Sequence, residues 1–120
     1  MAGGGAVFLY GTLLDPRIFA RFAGRGALRR GVPARLPGHR RVRLRGTPYP
    51  TLLASPGDAV AGLLLPRLGA GAFARLAAYE GASYALRPVR VLTPRGPRRA
   101  RAWMAPPWRA EPMPWTPYRP

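Results

Sequence analysis

The 120-residue chain has no cysteine, no lysine, no asparagine and no glutamine, and it holds one histidine and one isoleucine. Each absence narrows the chemistry. Without cysteine there is no disulfide framework, no thiolate nucleophile and no Cys-type zinc site. With His39 alone, a histidine-rich metal cluster is excluded, and no cofactor is expected. A Ser-His-Asp triad would have to use His39, Ser55 or Ser83, and Asp15 or Asp58, and neither serine lies in a nucleophile-elbow context. No run of about 20 apolar residues occurs, so no helix is expected to span a membrane. The opening residues Met1–Ala6 are small and uncharged. They lack the basic start and apolar stretch of a signal peptide, and a cytoplasmic location is expected.

Carboxylates are also scarce. Four acidic residues stand against 20 basic ones, a formal charge of +16. Such a balance attracts anions and raises the possibility of a nucleic-acid partner. Every basic residue is arginine, and Ala, Gly, Pro and Arg dominate, as GC-rich codons would supply. The basic stretch of Arg29, Arg30, Arg35, Arg40, Arg41, Arg43 and Arg45 therefore reads as a solvated strand face. No nucleic-acid-binding motif accompanies it, and a nucleic-acid partner is not the favoured reading.

What is present suits one folded domain, since 48% of the residues are hydrophobic. Residues 6–12, AVFLYGT, read as a buried strand. Asp15-Pro16 announces a helix, with Asp15 as N-cap and Pro16 as first helical residue. Ile18, Phe19 and Phe22 follow at helical spacing. Strict alternation in Arg41–Arg45 predicts a strand, with Pro33 and Pro37 placed at edges or turns and His39 in a turn. Thr47–Pro50 reads as a loop and 51–54 as a short strand. Ser55-Pro56-Gly57-Asp58 reads as a turn, and Ala59–Leu65 as a further buried strand. Gly69–Tyr79 predicts a second helix stopped by Gly81, with Phe73, Leu76, Ala77 and Tyr79 for its buried side. Tyr84–Leu92 and Arg98–Ala105 pair as a hairpin across Pro94–Pro97. The prolines from 106 onward bar a helix or a central strand. They set a tail, residues 106–120, apart from a domain at 1–105, as an extended arm held by Trp108 and Trp115. The three tryptophans are expected to pack the core edge and tail. The sum is α+β and mostly β, suiting a small barrel or strongly curved sheet.

Of the four carboxylates, Asp15 caps a helix, Asp58 lies in a turn and Glu111 lies in the tail. Glu80 has no such account. It ends an apolar helix, where the dipole disfavours its charge and burial would raise its pKa toward that of a general base. A surface glutamate paired with one of the many arginines is the alternative. The turn Tyr10-Gly11-Thr12-Leu13 joins a strand end to a helix start. Backbone N–H groups there can face an anion, or the turn can be a plain connection. Tyr49, between Pro48 and Pro50, can line a pocket or simply stiffen a turn.

Together, residues 7–16 (VFLYGTLLDP) and 76–91 (LAAYEGASYALRPVRV) resemble the two signature segments of the γ-glutamylcyclotransferase-like superfamily. With PARLPGHRRVRLRGTPYPTLL and PGDAVAGLLL between them, the chain is similar to its AIG2-like branch over about residues 6–105. The resemblance implies a mixed β-barrel with two short flanking helices. It also implies an enzyme that releases 5-oxoproline from a small-molecule γ-glutamyl amine or peptide. It makes Glu80 the catalytic acid/base, Tyr10, Gly11, Thr12 and Leu13 the loop that cradles the substrate carboxylate, and Tyr84 an aromatic of the pocket. Two positions depart from the pattern: Ala77 stands where an acidic residue is common, and Leu86 where an arginine is, with Arg87 one place on. These bear on substrate choice and on the support around Glu80. A binding protein that keeps the fold without the reaction is the second reading. A positively charged entrance would favour substrates whose released part is anionic.

Overall fold

The computed structural model describes residues 5–24 and 26–115. Met1–Gly4, Arg25 and the end of the tail, with Pro117 and Pro120, lie outside the described residues.

The apolar run near the start forms β1 (Val7–Leu9). Its three residues are all buried because the strand is covered on both faces, which explains a continuous apolar run in place of alternation. Phe8 points into one apolar cluster and Val7 and Leu9 into another. Next comes α1 (Pro16–Ala23), capped by Asp15, whose side chain accepts the Arg17 N–H. Two long strands follow, β2 (Val32–Leu44) and β3 (Pro50–Leu65), then α2 (Ala70–Glu80). The hairpin is β4 (Ala85–Thr93) and β5 (Gly96–Met104), and β6 (Ala110–Pro114) comes last.

The sheet order β3-β1-β5-β4-β2-β6, with β3 also paired to β2, closes five strands into a ring and leaves β6 outside on β2. β1 runs parallel to β5, and the other pairs are antiparallel. All five ring strands supply the first cluster, which fills the barrel with Phe8, Leu36, Leu52, Val60, Val91 and Ala102. The second cluster lies between the β1 wall and the two helices and contains Val7, Leu9, Phe19, Leu76 and Trp103. At the β1–β3 seam a Cβ on Gly62 would stand 2.2 Å from the Leu9 carbonyl oxygen, so only glycine lets the two backbones meet there.

The architecture is the small mixed barrel with two flanking helices that the sequence implies, with local differences. Ser55–Asp58 does not divide two strands. Residues 50–65 run as one strand, and those four residues lie opposite Gly38 alone, between the pairs Pro37–Ala59 and His39–Ala54. The turn chemistry survives as an irregularity, with the Ser55 hydroxyl donating to Asp58, because β2 continues the ladder on both sides. His39 sits within β2 at this irregularity and not in a free turn. Pro33 and Pro37 also lie within β2, which meets β4 at one registered pair, Arg35 with Leu92. That thinly paired flank is the setting in which prolines are tolerated in a strand.

The tail adds an edge strand. Leu44 pairs with Ala110 and Val42 with Pro114, and the Trp115 indole N–H donates to the Pro48 carbonyl at 2.7 Å. Trp108 does not hold the tail: it is 74% exposed, with Arg109 over its ring. Tyr79 is not on the buried side of α2 either. It is 45% exposed and packs on Phe22 of α1.

Candidate active site

Where β1 ends, the chain enters a cavity of about 280 Å³, close to the lower end of the size range of small-ligand pockets. Its walls come from four places. β1 and its following turn give Phe8–Leu13. The end of β2, the loop after it and the first residue of β3 give Leu44, Thr47, Tyr49 and Pro50. The end of α2 and the turn beyond it give Tyr79, Glu80, Ser83 and Tyr84, and β5 gives Trp103. Glu80, Tyr10, Gly11, Thr12, Leu13, Tyr49 and Tyr84, picked out from the sequence, all line this one cavity.

The Tyr10–Leu13 segment does not lead straight into α1. Thr12–Leu14 form a separate 3-10 turn, and Asp15 then caps α1 with its own carboxylate. The turn's internal bonds use the N–H groups of Leu14 and Asp15, which donate to Gly11 and Thr12. A turn of this kind leaves its first N–H groups, here those around Thr12 and Leu13, free of internal partners. The Asp15 side chain takes the Arg17 N–H at the α1 start, and it is Thr12 and Leu13 of the 3-10 turn, with no residue of α1, that line the cavity. Gly11 is required by close approach: an added Cβ would lie 2.5 Å from Cγ of Pro50.

Glu80 is the last residue of α2, followed by Gly81 at φ 64°, which turns the chain out of the helix. Burial raises its carboxyl from the ordinary 4.5 to about 7. No arginine pairs with it among the described residues. Among the described residues it is the only charged one in the cavity lining, and no arginine is part of that lining. The half-exposed tyrosines Tyr49 and Tyr79 stand in the lining where a basic rim was conceivable. Arg87, displaced by one position from the expected pattern, is exposed on β4 and absent from the lining, and Ala77 packs against the apolar layer under the helices.

The phenols near Glu80 are held by backbone. Tyr10, buried, donates its O–H to the Trp103 carbonyl. Tyr84 donates to the Pro50 carbonyl at 2.7 Å. Burial, followed by neighbouring phenols and Glu80, pushes both tyrosines above their ordinary pKa, so both stay protonated at neutral pH. Tyr79 is also raised, by burial first. Among the described residues no three His, Cys, Asp or Glu side chains gather as metal ligands.

Sequence reasoning missed Tyr79, Ser83, Thr47, Phe8 and Trp103 as cavity residues. For Tyr79 a signal existed in its place beside Glu80. Trp103 reaches the cavity only because β5 lies next to β1, a pairing across 90-odd residues that local pattern does not disclose.

Comparison with known proteins follows the same line. A curated Arabidopsis thaliana protein, Protein AIG2 C, is 33% identical over 78 residues, or 65% of this chain and 46% of that protein. The chain thus spans less than half the length of that relative. The solution structure of another Arabidopsis thaliana protein superposes with a TM-score of 0.76 at 28% identity, over 91% of this chain and 72% of that one. A gamma-glutamyl cyclotransferase structure shares the fold at a TM-score of 0.69 and 18% identity, over 90% of this chain and 69% of its own. A family model described as gamma-glutamyl cyclotransferase, AIG2-like, matches residues 7–117, and with the cavity formed where its two signature segments meet, the chain belongs to that family.

Proposed function

We propose that the protein cyclises a small-molecule γ-glutamyl amine or peptide, releasing 5-oxoproline and the free amine, with Glu80 as general acid/base. The observation that carries this reading is a lone carboxylate with a pKa near 7, unpaired with arginine, in the same cavity as the Tyr10–Leu13 donors.

The reaction asks little of the protein beyond placement and one proton. A γ-glutamyl compound carries an α-ammonium and a γ-carbonyl. Ionised Glu80 takes a proton from the ammonium. The freed amine then attacks the γ-carbon of its own molecule, closing a five-membered ring and leaving a tetrahedral oxyanion. As the carbon–nitrogen bond to the leaving group breaks, Glu80 returns its proton to the departing amine. The ring nitrogen sheds its second proton as it becomes an amide, the departing amine takes that proton up and leaves as an ammonium, and the Glu80 carboxylate is restored. Folding the substrate into attack geometry supplies several kcal/mol, and the positioned acid/base contributes about 10²–10⁴-fold.

The backbone N–H groups around Thr12 and Leu13 suit the substrate α-carboxylate. Tyr10 and Tyr84 are not proton donors in this scheme, because their hydroxyl protons already go to the carbonyls of Trp103 and Pro50. They shape the cavity, and Tyr49 closes its outer side. The apolar, aromatic walls lower the local dielectric, which sustains the raised carboxyl of Glu80 and strengthens each hydrogen bond made inside.

The test is a panel of γ-glutamyl peptides and amines assayed for 5-oxoproline, with wild type beside Glu80→Gln. Wild type turns over at least one substrate class, with a rate rising through an apparent pKa near 7. Glu80→Gln loses about 10²-fold or more. Silence of the wild type across a broad panel would favour a binding protein that has kept the fold.

A further inference from the structure

A second cavity opens at the other end of α2 from Glu80 and shares no lining residue with the first. Its volume is about 360 Å³, within the size range of pockets for one small ligand. Phe19 of α1, Leu65 at the end of β3 and Leu68 are all buried and give it an apolar floor. Three arginines stand around that floor: Arg30 from the 3-10 turn Ala27–Arg30, Arg67 from the link between β3 and α2, and Arg75 from α2. Among the described residues no carboxylate lines this cavity.

Three cations around one hollow, with no acid between them, favour an anion there. Among the described residues the side chains of Arg30 and Arg67 make no hydrogen bond or ion pair. Arg75 is only partly used. Its Nε donates to the Phe22 carbonyl at 2.8 Å, and its Nη1 lies where a Cβ on Gly71 would stand 3.4 Å away. The guanidinium is thus fixed beside the first turn of α2, with its Nη groups left as donors. A phosphate monoester brings about two negative charges and three acceptor oxygens, which suits several guanidiniums at once. A carboxylate brings one charge and two oxygens. The apolar floor adds that the ligand has an apolar body.

We propose that this cavity binds a small phosphate monoester with an apolar body, its phosphate on Arg30, Arg67 and Arg75 and its body on Phe19, Leu65 and Leu68. The site is separate from the cavity of Glu80. α2 has 11 residues, so its two ends lie about 16 Å apart along the helix. The inference does not rest on the cyclisation reading, and its test reads binding, not turnover.

The probe is phenyl phosphate, titrated into the full chain by isothermal calorimetry in about 0.15 M salt, where charges beyond roughly 8 Å are largely screened. Binding is saturable, with one ligand per chain. Inorganic phosphate binds about tenfold more weakly or worse, because it cannot cover the apolar floor. Phenol and benzoate also bind at least about tenfold more weakly, lacking the anion or its second charge. Arg30→Gln with Arg67→Gln weakens phenyl phosphate by about tenfold or more. Arg90→Gln with Arg99→Gln removes the same charge from an exposed pair that faces across β4 and β5, and it changes the affinity by less than about threefold. Glu80→Gln binds the probe as wild type does.

Gly69→Asp separates loss of binding from loss of fold. Gly69 precedes α2 at φ −60°, a backbone any residue adopts, and a Cβ there meets nothing within 4 Å. An aspartate at this position caps the helix and sets a negative charge at the cavity wall. The melting temperature holds or rises, while phenyl phosphate binds about tenfold more weakly. This variant decides the matter alone should the Arg30, Arg67 double variant not fold. No saturable binding of phenyl phosphate, equal weakening by the two arginine pairs, equal affinity for inorganic and phenyl phosphate, or full affinity in Gly69→Asp would each overturn the inference. So would loss of binding in Glu80→Gln, since the ligand would then sit in the first cavity.

Discussion

At the scale of single residues, Glu80 carries the greatest electrostatic consequence. Its carboxyl is about 7 in the fold and 4.5 as an ordinary side chain, raised by burial. A raised folded-state pKa means that the folded protein binds the proton more tightly than the unfolded chain. The associated stability is fully present below about pH 4.5 and is lost as pH climbs through 7. Glu80→Gln removes that loss. It should therefore be more stable than wild type at pH 8.5, by about 1–3 kcal/mol, with the difference vanishing near pH 4. Urea denaturation at the two pH values measures it. A variant at once inactive and more stable at alkaline pH is what a functional, desolvated carboxylate produces. A surface glutamate paired with arginine would show the opposite sign.

At the scale of elements, the protein separates helix starts with different tasks. Asp15 caps α1 through the Arg17 N–H, which makes that terminus a structural feature, while the preceding 3-10 turn lines the cavity with Thr12 and Leu13. Asp15→Ala should cost about 1 kcal/mol in chemical denaturation, and it should leave KM for a γ-glutamyl substrate near the wild-type value. A large rise in KM would mean that the cap also governs the turn. Most elements were legible because their signals are local: Asp15-Pro16 for α1, Gly81 for the end of α2, and alternation through Val42 and Leu44 for β2. The continuity of β3 was not. Ser55-Pro56-Gly57-Asp58 has real turn chemistry, yet the strand passes through it because β2 offers partners on both sides. The proline-rich tail was legible as extended and not as an edge strand, because pairing with Val42 and Leu44 is a tertiary event.

At the scale of the whole molecule, a charge of +16 is spread over a Cα radius of gyration of 13.6 Å, with two ion pairs among the described residues. Like charges at this density repel in the compact state, and salt screens them with a Debye length of roughly 8 Å at physiological ionic strength. The melting temperature should therefore rise by several degrees from very low salt to about 0.15 M, as read by differential scanning fluorimetry. A flat or falling curve would mean that specific ion pairs outweigh the general repulsion. Among the described residues no arginine lines the Glu80 cavity, where Glu80 is the one charged group. The charge still acts there at a distance: Arg41 and Arg109 favour the ionised forms of Tyr10 and Tyr84, against the larger effect of burial.

The sequence by itself determined the chemical inventory. With no cysteine and one histidine, and with three of four carboxylates explained by caps, turns and tail, Glu80 was the candidate left. The resemblance of two segments to a family's signatures implied the mixed barrel. Tertiary structure alone decided that the Tyr10 turn and the end of α2 share a cavity and that Trp103 and Tyr79 join its walls. The reason is physical: caps, turns and alternation act within a few residues, whereas a cavity is the space left when distant strands close on one another. No single segment encodes a space that belongs to none of them.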